Sequence, residues 1–215
     1  MQRGPASLLL LALAAGCSRP VEPRPALRAL VREPITAGEG TPSLQLGRTT
    51  IGDCLTNYGV RGFAVLAGDS YGIELRYLAG QLMLTFWLDG VGHDDWPELK
   101  QAVRDPENFA RARPEVWNAT LAAITIRAGS TPAATYWQGP VTPSPGAGKV
   151  ALFSPLAAVN EAFGDGAEIR NGGASASAKL PGLTLELRRP ADAEDDDPTV
   201  VTAIHAFAAA PSSPR

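Results

Sequence analysis

One pattern is written twice in this chain, and it constrains the fold more than any other feature. The first copy opens with TTIGDCLTNYG, Thr49 to Gly59, and the second with SPLAAVNEAFG, Ser154 to Gly164. The hydroxyls of Thr49 and Ser154 suit a helix N-cap, because they accept from free amides of the first turn. Pro155 suits the first helical position, where a missing N–H costs nothing. Ile51, Cys54, Leu55 and Tyr58 fall at i, i+3, i+4 and i+7, one face of a helix. Leu156, Val159 and Phe163 take the matching places, with Asn160 breaking the series. Gly59 and Gly164 suit the left-handed stop after a helix.

The parallel continues into strands. After Gly72 comes IELRYLAGQLMLTFWL, and after Gly173 comes ASASAKLPGLTLELRR. Each reads as two strands around a glycine-containing turn. Leu82, Leu84 and Phe86 alternate, as do Leu183, Leu185 and Leu187, so each trio lines one face of a sheet. A last strand follows in each copy, LAAITIR from Leu121 and VVTAIHAF from Val200. Each unit is thus expected to be helix, strand, strand, strand, and the fold class is α+β, two tandem modules of a short helix and an antiparallel sheet. The first module spans 44–127, with an insertion at 90–118 that includes a helix start at Asp105-Pro106-Glu107. A connector rich in Thr, Pro and Gly covers 128–149, the second module 150–209 and a tail 210–215. A module of about 60 residues buries too little surface to be comfortable alone. The two are therefore expected to share an interface or one continuous sheet, whose second face is a natural binding platform.

The start of the chain carries a different signal. Arg3, an apolar run from Ala6 to Ala15 and the small residues before Cys17 are the parts of a secretory signal, residues 1–16. The run is shorter than the roughly twenty residues that span a bilayer. Leu13-Ala14-Ala15-Gly16-Cys17 resembles the lipobox of bacterial lipoproteins, with Ala14 where that family usually has Leu. The resemblance implies a diacylglycerol on Cys17 and a chain anchored to a membrane in the cell envelope. Ser18, in place of Asp, implies sorting to the outer membrane, facing the periplasm. Residues 17–43 are Pro-rich and of mixed charge, and they read as an extended tether. The alternative there is a two-turn helix over Ala26–Arg32.

The helical start T-x-x-x-C-x-x-x-Y-G of Thr50–Gly59, the glycine loop after it and the G-L-x-L-x-L turn of Gly182–Leu187 together resemble the small α+β module of the BamE/SmpA lipoproteins. They are also similar to the tandem modules of the β-lactamase inhibitor protein group. The resemblance covers Leu44–Arg127 and Val150–Phe207, and the second copy departs from the first in having Ala158 at the place of Asp53. It implies a non-enzymatic protein that binds another protein of the envelope.

The residues themselves offer little chemistry. With 19 Lys+Arg against 22 Asp+Glu, and no basic stripe interleaved with aromatics, nucleic-acid binding has no support. No G-x-S-x-G, nucleotide loop, H-E-x-x-H or C-x-x-C occurs, and no cofactor or metal is expected. His93-Asp94-Asp95 in the insertion is the least implausible centre for a hydrolase or a small-ligand or metal site. The acidic run Glu194–Asp197 lacks the spacing of a calcium loop. His205 reads as a structural or surface residue of the last strand, and Cys54 as a small buried apolar side chain. Trp87, Trp96, Trp117, Tyr136 and Trp137 gather in and around the insertion and connector, and they are the candidate binding residues, since Trp and Tyr are enriched in binding hot spots.

Overall fold

The computed structural model of the chain describes residues 24–67, 71–88, 105–143, 148–172, 175–189 and 199–208. The signal sequence, Cys17, His93–Asp95, Trp96, the acidic run 194–197 and the tail 210–215 lie outside them.

The described chain begins with helix α1 (Pro25–Leu30) and the two-residue strand β1 (Ile35–Thr36). Helix α2 (Ile51–Tyr58) leads into strands β2 (Gly62–Ala67), β3 (Tyr71–Tyr77) and β4 (Leu82–Trp87). Short helices α3 (Pro106–Ala112) and α4 (Pro114–Trp117) precede β5 (Leu121–Arg127). The two-residue strand β6 (Val141–Thr142) comes next. Helix α5 (Leu156–Phe163) and strands β7 (Glu168–Asn171), β8 (Ser175–Leu180), β9 (Leu183–Arg188) and β10 (Val200–Phe207) complete it.

Eight of these strands form one sheet in the order β2-β3-β4-β5-β10-β9-β8-β7, antiparallel throughout. The protein is therefore α+β, with a large antiparallel sheet and few helices. Apart from α3 and α4, which interrupt the first run before β5, the element order α2-β2-β3-β4-β5 recurs as α5-β7-β8-β9-β10. The last strands of the two runs meet at the centre, where Ile126 lies opposite Ile204 and Ile124 opposite Ala206.

Period-two alternation decides which side is wet. Ile73, Leu75 and Tyr77 of β3, Leu82, Leu84 and Phe86 of β4, and Leu183, Leu185 and Leu187 of β9 are all buried on one face. Helix α2 docks there through Ile51, Cys54, Leu55 and Tyr58, the last with its ring edge-on to Tyr77 at 6.0 Å. Val159 and Phe163 of α5 enter the same core. Each leucine buried this way contributes roughly 1.5–3 kcal/mol of transfer free energy.

The helix ends differ by a residue from the sequence reading. Thr50, not Thr49, caps α2: its Oγ1 accepts from the Asp53 amide at 3.1 Å, while Asp53 Oδ2 accepts from the Thr50 amide at 2.9 Å. Such a reciprocal pair satisfies two orphan donors of the first turn. Thr49 Oγ1 instead accepts from the Gln45 amide. In α5 the cap position is Pro155, which has no side-chain donor or acceptor, and Ser154 Oγ accepts from the Ala151 amide. The expected start at Asp105 holds, with its carboxylate accepting from the Asn108 amide.

Two expectations are corrected outright. Each run holds four strands rather than three, because β2 and β7 add the two sheet edges. And the Pro-rich segment is not a tether from Arg24 onward. Leu27 and Leu30 of α1 are buried in the core, and Ile35 of β1 lies parallel to Val141 of β6. The physical reason is the i, i+3 spacing of the two leucines, which gives even a six-residue helix a face worth burying. Glu33 then locks the following loop, accepting from Thr41 Oγ1 at 2.7 Å and from the Ser43 amide at 2.9 Å. The connector is equally part of the fold: the amides of Gln138 and Gly139 donate to Val31 O at 2.8 and 2.9 Å.

Burial pushes the Cys54 thiol up to about 12 from 9.0, helped by the neighbouring Asp53 carboxylate. Burial likewise pushes the Tyr58 hydroxyl up to about 12 from 10.0, and Tyr77 upward in the same direction. All three hold their protons more tightly folded than unfolded. The stability this confers is complete below pH 9 and is lost as pH rises toward 12. From the thiol alone, urea denaturation at pH 11 is expected to show about 2–3 kcal/mol less stability than at pH 8. Alkylation of Cys54 should speed up in step. A flat profile across that window would contradict the burial of these groups.

Candidate functional site

The outer face of the sheet is the one on which α2 and α5 do not pack, and its residues follow from strand parity. It carries Glu74 and Arg76 of β3, Met83, Thr85 and Trp87 of β4, and Ala123, Thr125 and Arg127 of β5. Ala203, His205 and Phe207 of β10 continue it, followed by Thr184 and Glu186 of β9. Charges here pair locally, Glu74 with Arg76 at 2.6 Å and Glu186 with Arg188 at 3.9 Å. Exposed pairs of this kind add little stability.

Trp87 and Phe207 are the large apolar groups that remain exposed on this face, at 47% and 38%. Each ends its strand, and β4 and β10 run in the same direction, so both lie at the same end of the sheet. Phe207 faces Ala123, which faces Thr85, two residues before Trp87. Strand spacing and rise put the two aromatics roughly 12 Å apart. Trp87 lies opposite Gly72, and a Cβ on Gly72 would fall 2.7 Å from the indole. The glycine therefore gives the ring a flat seat, leaving its other side to solvent. A held, half-exposed indole loses little side-chain freedom on contact, which suits it as an anchor.

At the centre of the same face a polar chain crosses the seam. Thr125 Oγ1 lies 3.1 Å from His205 Nδ1, and His205 Nε2 lies 3.2 Å from Glu186 Oε1. Hydroxyl, imidazole and carboxylate in this order have the connectivity of an activated nucleophile. Acyl transfer further needs donors, from backbone amides or side chains, aimed at the developing oxyanion. The strands bearing these residues sit inside the β5-β10-β9 ladder, where the amides lie in the sheet plane and are committed to neighbouring strands. The contacts of His205 with Thr125 and Glu186 tie β10 to both β5 and β9. His205→Ala is expected to cost about 0.5–1.5 kcal/mol in thermal or urea unfolding. An unchanged midpoint would mean that the contacts contribute nothing.

The remaining candidates scatter. Tyr136 is 47% exposed but sits on the connector, its amide donating to Gln81 Oε1 at 3.0 Å. Trp117 is half-buried: it packs over Gly52 of α2, with Arg111 5.0 Å above its ring. Trp137 is only 3% exposed and donates its indole N–H to Gly139 O, so it anchors the connector and offers nothing to a partner. Of the four candidate aromatics among the described residues, Trp87 alone is placed on the outer face, and Phe207, which the sequence reading passed over, joins it. The signal for Phe207 was its shared parity with His205, opposite to that of the core residues Ile204 and Ala206.

Concavities also lie elsewhere among the described residues, including one of about 310 Å³ beside Asp53 and Asn57 of α2. Another, of about 520 Å³, is lined mainly by the loop from Pro34 to Arg48, and one of about 320 Å³ lies between α1 and Tyr136. Among the described residues no three His, Cys, Asp or Glu side chains converge as for a metal, and no helix is long and apolar enough to cross a membrane. Comparison with protein-family models, with curated proteins and with solved structures finds no match.

Proposed function

We propose that this chain is a lipid-anchored envelope protein, built from two copies of one α+β module, that binds a partner protein through the outer face of its sheet. The observation that carries the binding reading is the exposed pair Trp87 and Phe207 at one end of that face. Aromatic anchors set among near-neutral small residues, here Thr85 and Ala123, are the usual composition of a hot spot. The recurrence of helix plus four strands supports the two copies, whose strand orders mirror one another about the β5-β10 seam. The lipobox-like stretch ending at Cys17 supports the anchor. Ser18 after Cys17 supports extending the reading to the outer membrane, facing the periplasm, in a non-catalytic scaffolding or assembly role.

The test is chemical crosslinking in intact envelopes followed by capture, comparing wild type, Cys17→Ala and Trp87→Ala/Phe207→Ala. The expected result is one enriched protein, reduced at least tenfold by the double variant and lost or mislocalised with Cys17→Ala. A captured protein indifferent to Trp87 and Phe207 would refute the face. Capture indifferent to Cys17, with the protein still in the membrane fraction, would refute the anchor.

A further inference from the structure

The two edges of the sheet are protected differently. At one, β7 carries Glu168 and Arg170, paired at 2.6 Å, beside Lys179 of β8. Charged side chains on an edge discourage another chain from adding to it. At the other, β2 reads Gly62-Phe63-Ala64-Val65-Leu66-Ala67, with no charge and no proline. Among the described residues its only neighbour in the sheet is β3. The nearest charges on that neighbour, Glu74 and Arg76, neutralise each other. An apolar, regular edge of six residues is a template for one more strand.

We propose that β2 pairs antiparallel with β2 of a second copy of this chain, about a two-fold axis through Ala64, joining two sheets into one. Self-pairing has to keep core-facing residues opposite core-facing residues, because cross-strand partners share a face. Phe63 and Val65 face the core side, opposite Leu75 and Ile73, while Ala64 faces outward, opposite Glu74. An axis through Ala64 meets the condition. It sets Phe63 opposite Val65 of the partner subunit, and symmetry makes that pair twice. Aromatic against β-branched is among the favourable cross-strand pairs. On the outer side the axis brings together two small Ala64 side chains, and Gly62 leaves room for Leu66 of the partner subunit. The charge pattern selects the same occupant. A strand without charge does not repel its own copy, and it offers no side chain to attract an acidic or basic peptide in preference. The contact is smaller than a standard interface, so the dimer is weak, roughly micromolar.

Sedimentation velocity tests this on the purified chain carrying Cys17→Ser, which removes the lipid and one thiol. The expected result is a monomer–dimer equilibrium over micromolar to several hundred micromolar protein. Ala64→Lys and Ala64→Glu should each weaken it at least tenfold, since each places like charges at the axis, with the unfolding midpoint near that of the parent. Ala64→Cys should form an intermolecular disulfide under mild oxidation, while Arg170→Cys on the opposite edge should not. A chain that stays monomeric throughout, or a dimer indifferent to both charges at Ala64, would overturn the proposal. So would equal crosslinking at the two edges.

Discussion

Leu30→Ala is expected to lower the free energy of unfolding by about 2–5 kcal/mol, the usual cost of truncating a buried leucine and leaving part of its volume empty. Leu30 is 1% exposed, and Leu27 beside it is 2% exposed. A segment serving only as a spacer would show no change on the same substitution, because a disordered leucine has no packing to lose. Urea denaturation followed by circular dichroism measures the difference directly. The double variant Leu27→Ala/Leu30→Ala should do more, releasing α1 and with it the bonds that Val31 O accepts from Gln138 and Gly139. Protease sensitivity near Glu33 would then rise. A free energy of unfolding within about 0.5 kcal/mol of wild type would return residues 24–43 to the role of a tether.

Ile204→Ala is expected to destabilise the protein by a similar amount, about 2–5 kcal/mol, and to do so in both halves at once. Ile204 is fully buried, with Ile126 across the seam on one side and Leu185 on the other. The chain's four tryptophans, Trp87, Trp96, Trp117 and Trp137, all precede the second run of strands. Tryptophan fluorescence therefore reports the first half, while far-ultraviolet dichroism reports both. A sheet that unfolds as one body gives coincident curves and moves both by the same amount when Ile204 is cut back. A fluorescence curve left in place while the dichroism curve shifts would mean two independent units touching at β5 and β10.

The strongest features of this fold were legible because they repeat at a short period. The spacing of Ile51, Cys54, Leu55 and Tyr58 announces α2, and the alternation of Leu82, Leu84 and Phe86 announces β4. The edges were not. Phe63 to Ala67 is an unbroken apolar run that names no period, and Glu168–Asn171 is too short to show one. The N-terminal segment misled through composition. Its prolines suggest an extended chain, yet Pro25 stands at a helix start, where it is tolerated, and the two leucines three apart were the better guide. Among the aromatics, type alone could not sort Trp87 from Trp137. The difference lies in what faces them: a bare Gly72 beneath an indole at a strand end, against a connector folded over the other.

The pairing of Ile35 with Val141 joins residues 106 positions apart in the chain. Closing so long a loop is entropically costly and slow compared with forming a hairpin. During synthesis, β1 is complete long before its partner β6 exists. The segment around α1 thus waits for its clasp while α2, β2–β5 and the connector are made. The order of synthesis is therefore the hairpins of the first run, then the clasp, with the β5-β10 seam last, because Thr142 is made well before Val200. Anything that delays the connector lengthens the time for which the segment around α1 stays open to proteases and to other chains.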